Sequence, residues 1–140
     1  MPSAFRFLVI CLAASYREAD GLVSLSGIVN TLQLQADEEV ALTAVVSVIL
    51  TPDMAGKSLD LMFWRLGRNG EPQRVPAFAG IPLILPATAP GPQVLPLPLR
   101  TLPTLEAGLY GYYLFDRDGI FGPPEALLAT YTFGITRKST

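Results

Sequence analysis

Seven of the chain's 13 prolines fall between residues 80 and 103: Pro82, Pro86, Pro90, Pro92, Pro96, Pro98 and Pro103. Proline has no N–H for a β-ladder, so this stretch cannot be a central strand. Yet it carries Leu83, Ile84, Leu85, Val94, Leu95, Leu97 and Leu99 against a single charged residue, Arg100. That is too apolar for a solvated linker. It has to lie extended on a surface, as a polyproline-like cover, an arm or an irregular edge. Two surfaces are open to it: the edge of its own sheet, or a neighbouring subunit. The low charge of the chain, 16% against ~25% in an average domain, favours the neighbour. The seven apolar side chains are then the interaction residues of an assembly element.

The rest of the chain reads in twos. Val40, Leu42, Ala44, Val46, Val48 and Leu50 share one parity, with Thr43, Ser47 and Thr51 between them; this is the period of a half-buried strand. Leu59, Leu61 and Phe63 alternate with Asp60, Met62 and Trp64, and Ala129, Tyr131, Phe133 and Ile135 alternate with Thr130, Thr132 and Thr136. Residues 109–115 form an aromatic strand. In residues 22–34 the apolar parity passes from Val23, Leu25 and Val29 to Ile28, Leu32 and Leu34 around Gly27, which predicts a β-bulge. Residues 51–57 and 116–119 are turns. Arg68-Asn69-Gly70-Glu71 is a type I′ hairpin signal with residues 73–78 as the returning strand. No helical spacing stands out; Glu125, Ala126, Leu127 and Leu128 make one turn at most. The prediction for residues 1–140 is one all-β domain, an antiparallel β-sandwich of about seven strands, with the proline-rich segment at residues 80–103. A closed β-barrel is the alternative.

The N-terminus has two readings. Arg6 precedes the apolar run Phe7-Leu8-Val9-Ile10-Cys11-Leu12-Ala13-Ala14, which resembles a short secretory signal. Ile10 stands where a lipoprotein cleavage motif needs a small residue. The run is far shorter than the ~20 residues of a membrane-spanning helix. A buried first strand looks the same, and the turn at residues 17–21 leads from it into the next strand. The strand reading is preferred and makes the protein cytoplasmic; if residues 1–15 are a signal peptide, it is secreted.

Composition removes several functions. The chain has no histidine, so Ser-His-Asp and Cys-His catalysis and His-ligated metals are excluded. Its one cysteine excludes an intrachain disulfide and a Cys-based zinc site. A net charge of −2 offers no basic surface for nucleic acid.

The remaining candidates are few. Asp37, Glu38 and Glu39 form one acidic loop, and Asp116 and Asp118 lie in another. Calcium needs six to eight oxygens, so the two loops make a site only if they share one end of the sandwich; otherwise Asp-x-Asp-Gly is turn chemistry. Trp64, Tyr110, Tyr112 and Tyr113 are a sugar platform if they face out and core if they face in. Cys11 reads as a small buried hydrophobe. No cofactor is implied.

The opening strand, the Asp20-Gly21 turn, Leu22-Val23-Ser24-Leu25-Ser26-Gly27-Ile28, the strand at residues 40–50 and the segment LPTLEAGLYGYY at residues 102–113 resemble a family of small, uncharacterised bacterial β-sandwich proteins. The resemblance covers most of the chain and departs from it at residues 80–103. It implies a fold and no chemistry. The expected function is contact: a non-catalytic interaction or assembly subunit, as a homo-oligomer or with a protein partner. The alternative is a small-ligand, carbohydrate or calcium-binding domain, or an enzyme that works without histidine.

Overall fold

The computed structural model describes residues 4–17, 22–35, 38, 40–67, 69, 71–74, 80–87, 91–99 and 106–138. In chain order the strands are β1 (Ala4–Arg17), β2 (Leu22–Ile28), β3 (Thr31–Gln35), β4 (Thr43–Leu50) and β5 (Ser58–Leu66). They continue as β6 (Pro72–Arg74), β7 (Ile81–Ile84), β8 (Gly91–Pro98), β9 (Gly108–Asp116) and β10 (Ala126–Lys138). The first sheet has the order β2-β1-β4-β8, and the second β3-β10-β9-β5, with β6 and β7 dividing the far edge of β5 between them. The described pairs are antiparallel except β3 with β10, which is parallel. The fold is an all-β sandwich.

The period-2 faces meet in the core. Ala44, Val46, Val48 and Leu50 of β4 are buried together with Leu59, Leu61 and Phe63 of β5, Tyr110, Tyr112 and Leu114 of β9, and Phe133 and Ile135 of β10. The Phe63 ring centre lies 4.7 Å from Tyr112 and 5.5 Å from Tyr110, and Phe133 lies 5.9 Å from Tyr112. Such ring pairs add ~0.5–1.5 kcal/mol each beyond the area they bury.

The parity switch at Gly27 is a change of sheet and not a bulge in one strand. Val29 N–H still donates to Ile10 C=O in the first sheet, while Asn30 C=O accepts from Gly134 N–H in the second. Gly27 has φ +68°, and a Cβ there would stand 2.7 Å from the Leu12 side chain. The chain therefore needs glycine at this bend.

β4 is also buried on the face that the sequence left to solvent. Val45 and Ser47 are as buried as their core-facing neighbours. β4 stops pairing with β1 at Cys11, and beyond it Ala14, Ser15 and Val23 line one small gap together with Val94 and Pro96 of β8. In a flat sheet Ala14 would sit some five to seven residues, ~16–23 Å, along from the level of Pro96 and Val94. The β1–β2 hairpin therefore curls back over the outer face, giving the sheet the form of a half-barrel. Its edge strands β2 and β8 do not pair, so no closed barrel forms.

The proline-rich segment corrects the sequence reading most. It is edge strand in both sheets of its own chain: β7 pairs with β5 and β8 with β4. Leu83, Leu85 and Leu99 are buried in the core, and Leu95 and Leu97 pack against it. Val94 is half-buried on the other face, and Ile84 alone of the seven expected interaction residues is exposed. Leu99 N–H donates inward to Leu42 C=O. By alternation Pro92, Pro96 and Pro98 lie where an N–H would point outward, so the prolines cost the ladder nothing. This segment and the splitting of residues 22–34 raise the strand number from about seven to ten among the described residues. Residues 75–78 of the expected returning strand, and Arg68 and Gly70 of its turn, lie outside the described residues.

Candidate functional site

The outer face of the second sheet is the feature that packing does not explain. Alternation places Asp60, Met62, Trp64 and Leu66 of β5 on it beside Leu109, Gly111, Tyr113 and Phe115 of β9. β10 adds Leu127, opposite Phe115. A solvent-facing antiparallel sheet normally carries polar residues on that side. Here seven of these nine positions hold large apolar or aromatic side chains, with Leu109 and Leu127 at least half exposed, while β10 continues the face in exposed Thr130 and Thr132, opposite Tyr113 and Gly111. Tyr113 lies down across Gly111, where a Cβ would be 3.0 Å from its ring. Trp64 packs beside it, 4.8 Å from Tyr113 and 5.8 Å from Phe115 between ring centres. Burial under these neighbours raises the Tyr113 phenol above its ordinary pKa.

One end of the strip is built by a rigid loop. Asp116 closes β9 and is fully buried. Its Oδ1 accepts from Ile120 N–H at 2.8 Å, and its Oδ2 from Phe121 N–H at 2.7 Å and Gly122 N–H at 3.1 Å. Its own C=O accepts from Gly119 and Glu125 N–H. Held this way, Glu125 takes φ +64°, a conformation that costs a non-glycine residue about 1 kcal/mol or more. Glu125 then joins Asp60, Met62, Phe115 and Arg117 around an open depression of about 240 Å³. The Arg117 guanidinium is 3.8 Å from the Asp60 carboxylate, an ion pair too long for a hydrogen bond.

The two acidic loops offered as calcium candidates do not meet. Both Asp116 oxygens are turned inward to backbone N–H groups. Asp118 Oδ2 accepts from Ser58 N–H at 2.7 Å, and Glu38 Oε1 from Gln35 N–H at 3.1 Å. Asp116 sits at the start of β10, while Glu38 follows β3 at its far end, where Arg137 donates to the Glu38 carbonyl. The 11 residues between these levels span ~36 Å, so the acidic loops occupy opposite ends of the sheet. Asp37 and Glu39 lie outside the described residues. Among the described residues no three acidic or cysteine side chains cluster.

The expected sugar platform divides. Tyr110 and Tyr112 are core, and only Trp64 and Tyr113 face outward. Sequence reasoning missed Met62, Phe115, Leu109, Leu127, Arg117 and Glu125. Parity was the available signal, since Met62 shares a face with Trp64, and Phe115 with Tyr113. Cys11 is buried, its Sγ 3.4 Å from Ala13 O, and burial pushes its thiol pKa up, away from the reactive thiolate.

No protein-family model matches the chain, and no curated protein matches it. The resemblance to small bacterial β-sandwich proteins thus rests on the pattern of strands and turns alone.

Proposed function

We propose that the chain is a non-catalytic domain that acts by contact, and that the outer face of its second sheet is where a protein partner docks. The observation that carries this reading is the aromatic and aliphatic strip of Met62, Trp64, Leu66, Leu109, Tyr113, Phe115 and Leu127 on a solvent-facing sheet. Its extent, roughly 20 Å along β9 by 15 Å across the strands, is that of a functional patch on a monomer. It is larger than a small ligand covers. Aromatic residues and methionine are also the types enriched at protein interfaces. The absence of histidine and the inward commitment of Asp116 favour contact over catalysis. Residues 1–15 are read as part of the folded domain, because their loss would remove the strand that both β2 and β4 pair with.

The test is site-specific photo-crosslinking in the source cell, with the crosslinker at Leu109 and, as control, at exposed Gln33 on β3. A discrete adduct at position 109 that disappears with Trp64→Gln, while the fold is unchanged, is the expected result. No adduct at 109, or the same adduct from both positions, would overturn the reading.

A second reading rests on the depression beside Phe115. An apolar floor of Met62 and Phe115 with Asp60, Glu125 and Arg117 at the rim suits a single sugar ring, which stacks one face and offers hydroxyls to the charged groups. Trp64 is the chain's only tryptophan and packs on Phe115. Its emission would shift on titration with a bound sugar and stay constant if none binds.

A further inference from the structure

A sheet edge presents backbone N–H and C=O groups to any strand that comes alongside, and proteins that stay monomeric blunt their edges. Three edges of this sandwich are blunted. On β8 the outward positions are Pro92, Val94, Pro96 and Pro98, three of the four without a donor. The edge formed by β6 and β7 is split into two short strands and carries Pro72 and Pro82. On β3, five residues long, the last residue is occupied by side chains: Gln35 N–H donates to Glu38 Oε1 and Gln35 C=O accepts from Arg137 Nη1 at 2.9 Å.

The fourth edge is β2. Its seven residues, Leu22-Val23-Ser24-Leu25-Ser26-Gly27-Ile28, contain no proline and no charge. No described strand lies on its outer side. Val29 N–H points inward to Ile10 C=O, so by alternation the backbone groups of Ser24, Ser26 and Ile28 point outward. The strand is also a chemical palindrome about Leu25: serine at 24 and 26, a small or short side chain at 23 and 27, a large aliphatic at 22 and 28. Leu22 and Ile28 are 54% and 60% exposed.

We propose that two copies of the chain pair through β2, antiparallel about a two-fold axis at Leu25. A two-fold interface uses the same patch on both subunits and therefore has to be self-complementary. In this register Ser24 of one copy faces Ser26 of the other, and each pair exchanges two hydrogen bonds, giving four at the centre. Leu22 covers Ile28 at both ends, and Val23 of one copy comes opposite Gly27 of the other, where the Leu12 side chain lies. The two four-stranded sheets become one of eight strands. Its outer edges are the proline-guarded β8 of each copy, so assembly stops at the dimer. The contact face of the second sheet stays open on both subunits, and this inference does not depend on it.

Three measurements on the full chain test the pairing. Light scattering across the micromolar range should give twice 15.1 kDa for the unaltered protein. Ser26→Pro removes an outward donor in the way that β8 already does, and Leu25→Lys places two like charges at the axis. Each should give a folded species of 15.1 kDa. Should either variant fail to fold, Leu25→Cys decides. Residue 25 lies in a non-hydrogen-bonded pair at the axis, where Cα atoms are ~4.5 Å apart, within disulfide reach. It should oxidise to a covalent dimer, whereas Leu22→Cys, opposite Ile28, should not. A monomer at 100 micromolar would overturn the proposal. So would a dimer that survives both substitutions, a dimer lost instead with Trp64→Gln, or failure of Leu25→Cys to cross-link.

Discussion

Asp116 shows what one residue holds. Its carboxylate is fully buried and accepts three backbone N–H bonds from the loop that sets Arg117 and Glu125 beside the depression. Asp116→Ala would remove the acceptor of three part-buried N–H groups, and hydrogen bonds to a charged group contribute ~1.5–3 kcal/mol each. Urea unfolding of Asp116→Ala should show a loss of at least about 3 kcal/mol, with Asp116→Asn in between. The tyrosines set the alkaline limit. Burial raises the phenols of Tyr110, Tyr112, Tyr113 and Tyr131, most strongly at Tyr112. In the unfolded chain they ionise near pH ~10, where the folded protein keeps its protons. Above that pH the unfolded state binds fewer protons than the native one, so stability that is complete below it falls as pH rises. Equilibrium unfolding between pH 8 and 11 should show this decline, and Tyr112→Phe should flatten it. Sequence spacing exposed Asp116-x-Asp118-Gly119 as either turn or metal ligand. The choice depends on where the N–H groups of residues 120–122 point, which only the folded loop defines.

At the scale of elements, alternation was legible wherever one face of a strand packs and the other does not, as at Leu59, Leu61 and Phe63 or Phe133 and Ile135. It failed at Val45 and Ser47, because the hairpin that covers them folds back over a different part of the sheet. It failed again at residues 80–103. Proline content correctly excluded a central strand, but it carried no information on whose edge the segment would join. Deleting residues 83–94 removes the second half of β7, the whole link to β8, the first half of β8, and buried Leu83 and Leu85. Truncating a buried leucine alone costs ~2–5 kcal/mol, against a total stability of ~5–15 kcal/mol. The deletion should therefore unfold the chain, seen as loss of its cooperative melting transition; a folded product would show that the segment is dispensable. Replacing Pro92, Pro96 and Pro98 by threonine keeps the inward hydrogen bonds and restores three outward donors. That variant should keep its β spectrum but elute as species larger than the parent.

The whole molecule is a sandwich with one ordinary core and one anomalous surface. The first sheet hides its outer face under its own hairpin. Among the described residues no strand lies over the outer face of the second, where half-buried Met62, Trp64, Leu66 and Phe115 stand beside exposed Leu109 and Leu127. Nothing in the strand pattern alone distinguished this face from a second core layer, since apolar residues on both parities of β5 and β9 suit either. The direct measurement is binding of the dye 1-anilinonaphthalene-8-sulfonate to the native protein, well below its melting temperature. A face built for contact should bind the dye in the cooperative, fully folded state, and binding should fall at least fivefold in Trp64→Gln/Leu109→Gln with the melting transition retained. A native protein that ignores the dye, or binds it equally after both substitutions, would contradict a contact surface on the second sheet.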